Sequence, residues 1–154
     1  MLYFAYGSNM SRGAMRQRCP QAVAGGRASL RHYRFVIMTS GYASIVPAPG
    51  HVVHGVLWKI TPRDLAALNA YENVDGGLYR RAYLPVSHDN RNVVTALVYL
   101  GLERGEGRPL PGYLEDVIDA ARTWDLPADY IASLRRWSPG SWRGTAAPDT
   151  GVLS

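Results

Sequence analysis

Leu2-Tyr3-Phe4-Ala5-Tyr6-Gly7-Ser8-Asn9-Met10 decides how the rest of the chain is read. The apolar and aromatic run Leu2 to Tyr6 predicts a short buried strand. It meets Gly-Ser-Asn, which does not extend a strand. Gly7 opens backbone angles closed to other residues, while Ser8 and Asn9 bond their own backbone or cap the next helix. The expectation is a tight turn at a strand end, with several backbone N–H groups facing one point. Such a cluster holds a carboxylate or a developing oxyanion. A plain strand-to-helix turn, capped by Asn9 or Ser11, fits the same residues.

Outward from this stretch, Ser11 to Arg18 predicts a short helix stopped by Pro20. Gly25-Gly26 reads as a loop, and Leu30 to Ile37 as a strand. Ser40-Gly41 turns the chain. Ala43 to Val46 is a short extended run, cut off by Pro47-Ala48-Pro49-Gly50. Val52 to Ile60 is the most convincing strand, and Gly55 within it implies a bulge or a close backbone approach. Thr61-Pro62-Arg63-Asp64 announces a helix: N-cap, proline at the first position, acid three after the cap. That helix runs to about Glu72 and ends near Asn73, before Gly76-Gly77.

Leu78 to Val86 and Val93 to Leu100 predict two more strands, and Glu103 to Pro109 an exposed loop. A helix over about Gly112 to Thr123 presents Leu114, Val117, Ile118 and Ala121 on one face. A last helix starts at Pro127, with Tyr130, Ile131, Leu134 and Trp137 as its stripe. One domain, 1–137, is expected, with an irregular Gly/Ser/Pro-rich tail over 138–154. The fold class is α+β, a mixed and strongly curved sheet closed or nearly closed into a small barrel with flanking helices.

The chain has 154 residues and 47% hydrophobic content, enough for a real core. One cysteine, Cys19, excludes an internal disulfide framework and fits a reducing, cytoplasmic setting. No charged leader and no long apolar run are present, so neither signal peptide nor membrane span is expected. The net charge of +5 comes almost wholly from scattered arginines without aromatic interleaving, which reads as solvated surface rather than a nucleic-acid site. His32, His51, His54 and His88 fall at no metal-ligand spacing, so no metal is expected. Neither a Gly-x-Ser-x-Gly elbow, nor a phosphate loop, nor a dinucleotide fingerprint is present, and no cofactor is expected.

One carboxylate is out of place. On the Pro62–Glu72 helix, Glu72 lies close to the mean direction of Leu65 and Leu68 at about 100° per residue. A carboxylate on a buried face, at the negative end of a helix, is pushed toward its protonated form. That suits a proton shuttle near neutral pH. A glutamate at a fraying helix end, turned to water or paired with Arg80 or Arg81, fits equally. Tyr99, late in a strand, and Tyr113, at a helix start, are placed to point phenols into a pocket or to be ordinary buried tyrosines.

Tyr6-Gly7-Ser8-Asn9-Met10 at the end of a first strand resembles the Tyr-Gly-Ser-Asn-Leu signature of the γ-glutamylcyclotransferase-like family, with Met10 a departure from leucine. Glu72, in Leu68-Asn69-Ala70-Tyr71-Glu72, stands where that family places its catalytic glutamate. Gly76-Gly77-Leu78-Tyr79, Ser44 to Gly50, Gly55 to Trp58 and Ala96-Leu97-Val98-Tyr99-Leu100 resemble later segments, from residue 2 to about 137. Tyr113 is a looser match.

The resemblance implies release of 5-oxoproline from a small γ-glutamyl compound by attack of its own α-amine on the γ-carbonyl. Glu72 would be general base and acid, with Tyr6, Gly7, Ser8, Asn9, Met10, Tyr99 and Tyr113 around the substrate. The enzyme would be a monomer or homodimer. A γ-glutamylamine cyclotransferase, a biosynthetic γ-glutamyl-trimming enzyme and a non-catalytic binding protein on the same fold remain open. The Glu103–Pro109 loop is the candidate for shaping the leaving-group side.

Overall fold

The computed structural model describes residues 1–89 and 92–138. The expected tail lies outside them, apart from Ser138. Five strands close into a barrel in the order β1-β3-β2-β4-β5, and four α-helices flank it. The strands are β1 (Leu2–Ala5), β2 (Val23–Ile37), β3 (Ala43–Lys59), β4 (Tyr79–His88) and β5 (Asn92–Gly101).

β1 is short but bonded on both sides. It runs antiparallel to β3, from Leu2 opposite Lys59 to Ala5 opposite Val56, and parallel to β5, with Tyr3 opposite Leu97. Its successive residues Tyr3 and Phe4 point to opposite faces and are both buried, so both faces are covered. This parallel pairing seals the barrel.

β2 and β3 form a long hairpin that turns at Ser40-Gly41, with Gly41 at φ 93°. Two expectations fail here. Gly25-Gly26 is not a loop but lies within β2, where Gly26 (φ 98°) takes up a register shift against β3. Pro47 to Gly50 does not end a strand either; β3 continues through it. The register jumps from Tyr33 opposite Pro47 to Arg31 opposite Val52, so four residues of β3 face His32 alone. Pro49 falls inside this interruption, where its missing N–H takes nothing from the ladder, and Pro47 stands at its edge opposite Tyr33. Gly50 (φ 84°) donates its N–H to His32 Nδ1 at 3.2 Å.

Gly55 is the close-approach case rather than a bulge. It pairs with Ala28 without a register shift, and a Cβ there would lie 2.2 Å from the Ala5 carbonyl oxygen.

The helices follow their sequence signals. α1 (Arg12–Arg18) starts on Ser11, whose Oγ accepts the Ala14 N–H at 3.2 Å. α2 (Pro62–Tyr71) starts on a complete capping box. Asp64 N–H donates to Thr61 Oγ1 at 3.2 Å, and Thr61 N–H donates to Asp64 Oδ2 at 3.0 Å. α2 stops at Glu72, one residue before Asn73 reverses the chain at φ 50°. α3 (Tyr113–Thr123) buries Leu114, Val117, Ile118 and Ala121, and α4 (Ala128–Leu134) buries Tyr130 and Leu134. Ile131 and Trp137 are partly buried against the same core. No helix among the described residues is long and apolar enough to cross a membrane.

Replacement of Gly55 by alanine forces the β1–β3 backbones apart. The expected loss is about 2 kcal/mol or more in urea unfolding. A loss within about 0.5 kcal/mol would show that the contact is not tight.

Candidate active site

The chain beyond β1 makes one 3₁₀ turn, Ser8–Met10, with Met10 N–H bonded to the Gly7 carbonyl at 3.1 Å. Two indoles hold it from below. Trp58 Nε1 donates to the Asn9 carbonyl at 3.0 Å, and Trp124 Nε1 donates to the Met10 carbonyl at 2.7 Å. With the carbonyls anchored, the leading N–H groups of Ser8 and Asn9 have no acceptor among the described residues. Gly7 matters for space rather than for a left-handed turn, since its φ is −115°. A Cβ on it would stand 3.1 Å from the Tyr113 hydroxyl.

A cleft opens over this turn. Tyr6, Gly7, Ser8, Asn9, Glu72, Tyr99 and Tyr113 line it together. Seven of the chain's ten tyrosines do so: Tyr3, Tyr6, Tyr42, Tyr71, Tyr79, Tyr99 and Tyr113. Most of these phenols are tied down. Tyr6 donates to the Tyr99 carbonyl and Tyr79 to the Ala43 carbonyl. Tyr99 donates to Asn69 Oδ1 at 2.7 Å, and Tyr113 accepts the Ala43 N–H at 3.2 Å. Burial pushes Tyr3, Tyr6, Tyr79, Tyr99 and Tyr113 upward, so all five are neutral across the physiological range.

Glu72 comes in from the end of α2, its N–H bonded to the Leu68 carbonyl at 2.8 Å. Its side chain is half-buried and faces the cleft. Asn9 Nδ2 lies 3.4 Å from Glu72 Oε1 and donates to the Tyr3 hydroxyl at 3.0 Å. Burial raises the Glu72 carboxyl to about 7, against a lowering by the Arg18 guanidinium. Neither alternative, Glu72 turned to water or Glu72 paired with Arg80 or Arg81, is what the chain adopts: its side chain lines the cleft, and among the described residues no ion pair joins it to either arginine. The ion pairs among the described residues are Arg34–Glu106 and Arg122–Asp119.

Two expected participants stand elsewhere. The Met10 side chain is fully buried and does not line the cleft. The Glu103–Pro109 loop does not reach it either. Glu103 instead accepts from Thr39 Oγ1 and the Ser40 N–H, both at 3.1 Å, bracing the β2–β3 turn. Cys19 is buried and its thiol is pushed up to about 11 by burial, the state of an inert core thiol.

Sequence reasoning passed over Tyr3, Tyr42, Tyr71, Tyr79 and Arg18 as site residues. The signal for the phenols was the composition itself, ten tyrosines against two phenylalanines. A buried aromatic set so biased toward hydroxyls needs polar company.

With the geometry in view, the relatives fall into place. Residues 3–121 match the sequence model of the family described as gamma-glutamyl cyclotransferase, AIG2-like, and the chain belongs to that family. The gamma-glutamylcyclotransferases of Bos taurus and Homo sapiens are 29% and 28% identical to it, each over 96% of this chain and 84% of their own. A solved structure described as a gamma-glutamyl cyclotransferase superposes with a TM-score of 0.85 at 28% identity, covering 94% of this chain and 92% of that one. YkqA from Bacillus subtilis superposes with a TM-score of 0.77 at 27% identity, covering 88% of this chain and 53% of that one. This kinship across nearly the whole chain supports the reading of an enzyme of cyclotransferase type.

A carboxyl near 4.5 when unfolded and about 7 when folded favours the folded state at low pH. That advantage is lost as pH rises from about 4.5 through 7. Glu72→Gln cannot ionise, so it gains stability relative to the parent across that window. The gain is on the order of 2 kcal/mol once partial exposure is allowed for. Urea unfolding of both proteins at pH 5 and pH 8 measures it; the same difference at both pH values contradicts the burial of Glu72.

Proposed function

We propose that this chain releases 5-oxoproline from a small γ-glutamyl compound, with Glu72 carrying the proton. The observation that supports this most is the half-buried Glu72 carboxyl, raised to about 7, across one cleft from the Gly7-Ser8-Asn9 turn. The reaction closes a five-membered ring. The substrate's α-amine attacks its own γ-carbonyl carbon, and the bond to the leaving nitrogen breaks. Nucleophile and electrophile sit in one molecule, so the protein has only to hold the folded conformer.

Protons must move twice. The α-ammonium loses one before it can attack, and Glu72 as carboxylate takes it. The leaving nitrogen needs one to depart, and Glu72 as acid returns it; attack leaves a second hydrogen on the now cationic ring nitrogen, which passes by way of the Glu72 carboxylate to the departing amine, so 5-oxoproline leaves with one N–H and the amine as its ammonium. A carboxyl that titrates near 7 does both at neutral pH, whereas an ordinary one is too weak a base. The N–H groups of Ser8 and Asn9 face the side where negative charge sits, either the α-carboxylate or the oxygen of the tetrahedral intermediate. The phenols wall the site, and their fixed hydroxyl groups shape the glutamyl end rather than relay protons.

The finer placement follows from the same chemistry. The substrate is a γ-glutamyl amino acid or γ-glutamylamine, and the setting is the cytoplasmic turnover of γ-glutamyl compounds, glutathione metabolism included. One buried cysteine suits that compartment.

Glu72→Gln is expected to keep the fold and lower 5-oxoproline release from γ-glutamyl-alanine at least a hundredfold. In the parent, turnover should fall as pH drops below about 7 and Glu72 becomes protonated. Near-normal release by the variant, or a flat profile down to pH 5, would remove Glu72 from the mechanism.

A further inference from the structure

Arg18 ends α1, the helix that leaves the turn, and its guanidinium returns to that turn. It lies over the ring of Tyr71, the last residue of α2, at 3.7 Å. Its Nη1 donates to Asn9 Oδ1 and reaches Ser8 Oγ at 3.5 Å. A guanidinium has donors only, so the Asn9 carboxamide must offer its oxygen to Arg18. The amide nitrogen then has one direction left, toward the Tyr3 hydroxyl at 3.0 Å and Glu72 Oε1 at 3.4 Å. Flipping the carboxamide would set two N–H groups against the guanidinium and turn a carbonyl oxygen on a carboxylate.

We infer that Arg18 is a positioning residue for this site: it fixes the Asn9 carboxamide so that its nitrogen donates to Glu72, and it supplies the positive charge that Glu72 faces. For its catalytic consequence this rests on the cyclotransferase reading; for its electrostatics it does not.

The titratable side chains that feel the Glu72 charge are Tyr3 on β1, Tyr6 beyond it, Tyr79 on β4, Tyr99 on β5 and Tyr113 on α3. All are neutral phenols. Arg18 is the cation opposing burial at that carboxyl. It works through a hydrogen-bonded amide as well as through space, and its planar fork and stacking on Tyr71 are not available to lysine. Without it, burial acts unopposed. Glu72 then stays protonated at neutral pH and cannot take the α-ammonium proton.

The test is carboxyl ¹³C NMR on protein labelled at glutamate, with Glu72→Gln identifying the Glu72 signal against Glu103, Glu106 and Glu115. Arg18→Met should move the Glu72 titration midpoint upward by about one pH unit, the size of a single close opposite charge. Arg18→Lys should move it less. Release of 5-oxoproline from γ-glutamyl-alanine at pH 7 should fall about tenfold in Arg18→Met and recover as pH is raised. An unmoved midpoint in folded Arg18→Met overturns the inference, whatever happens to activity. If Arg18→Met does not fold, Arg18→Gln, which keeps a donor toward Asn9 and removes the charge, decides on the same criterion. A shifted midpoint in a protein whose parent makes no 5-oxoproline would uphold Arg18 and sink the cyclotransferase reading instead.

Discussion

A glutamate held partly out of water by phenols is the constraint on which the site depends. Burial alone lifts a carboxyl by up to several pH units, and a single close cation lowers it by about one to three. Either effect alone spoils the site. Full exposure leaves an acid too strong to hold a proton at pH 7; burial without a cation leaves one that never gives it up. Glu72 settles at about 7 because desolvation in the tyrosine-lined cleft is partly offset by Arg18. The phenols suit this balance. Four of them, Tyr6, Tyr79, Tyr99 and Tyr113, bond their hydroxyls to Ala43, Asn69 and the Tyr99 carbonyl, and none carries a charge of its own.

The fold exists, in this view, to keep two short segments in register. β1 is bonded to β3 on one edge and to β5 on the other, so the turn after it begins from a fixed point. Trp58 and Trp124 then hold the carbonyls of Asn9 and Met10. Opposite, the capping box at Thr61 and Asp64 fixes where α2 starts, and its length delivers Glu72 to the cleft. Asn9 joins the two halves, its nitrogen on Glu72 and its oxygen on Arg18. Gly55 lets the β3 backbone come this close to β1, since a Cβ there would lie 2.2 Å from the Ala5 carbonyl oxygen.

Much of this is legible from sequence where the signal is local. The apolar run before Gly7, the cap at Thr61-Pro62-Arg63-Asp64 and the helical angle of Glu72 against Leu65 and Leu68 each have one physical cause, and each falls where it is expected. Sequence reading goes wrong where tertiary pairing overrides a local signal. Gly25-Gly26 and Pro47 to Gly50 look like breaks, but β2 and β3 run through them because the hairpin absorbs the mismatch as register shifts. Charge counting likewise cannot separate a solvated arginine from one stacked on Tyr71, so Arg18 hides among the surface cations. Met10 carries the motif position but packs into the core, which neighbouring residues in a sequence cannot reveal.

The most direct test is a crystal structure of Glu72→Gln soaked with γ-glutamyl-alanine, which the variant should hold without turning over. The glutamyl end is expected in the tyrosine-lined cleft, with its α-amine within hydrogen-bond distance of the residue 72 side chain. Its α-carboxylate or γ-carbonyl oxygen should lie on the Ser8 and Asn9 amides. A substrate seated in another cavity, or one whose α-amine points away from position 72, would contradict the account.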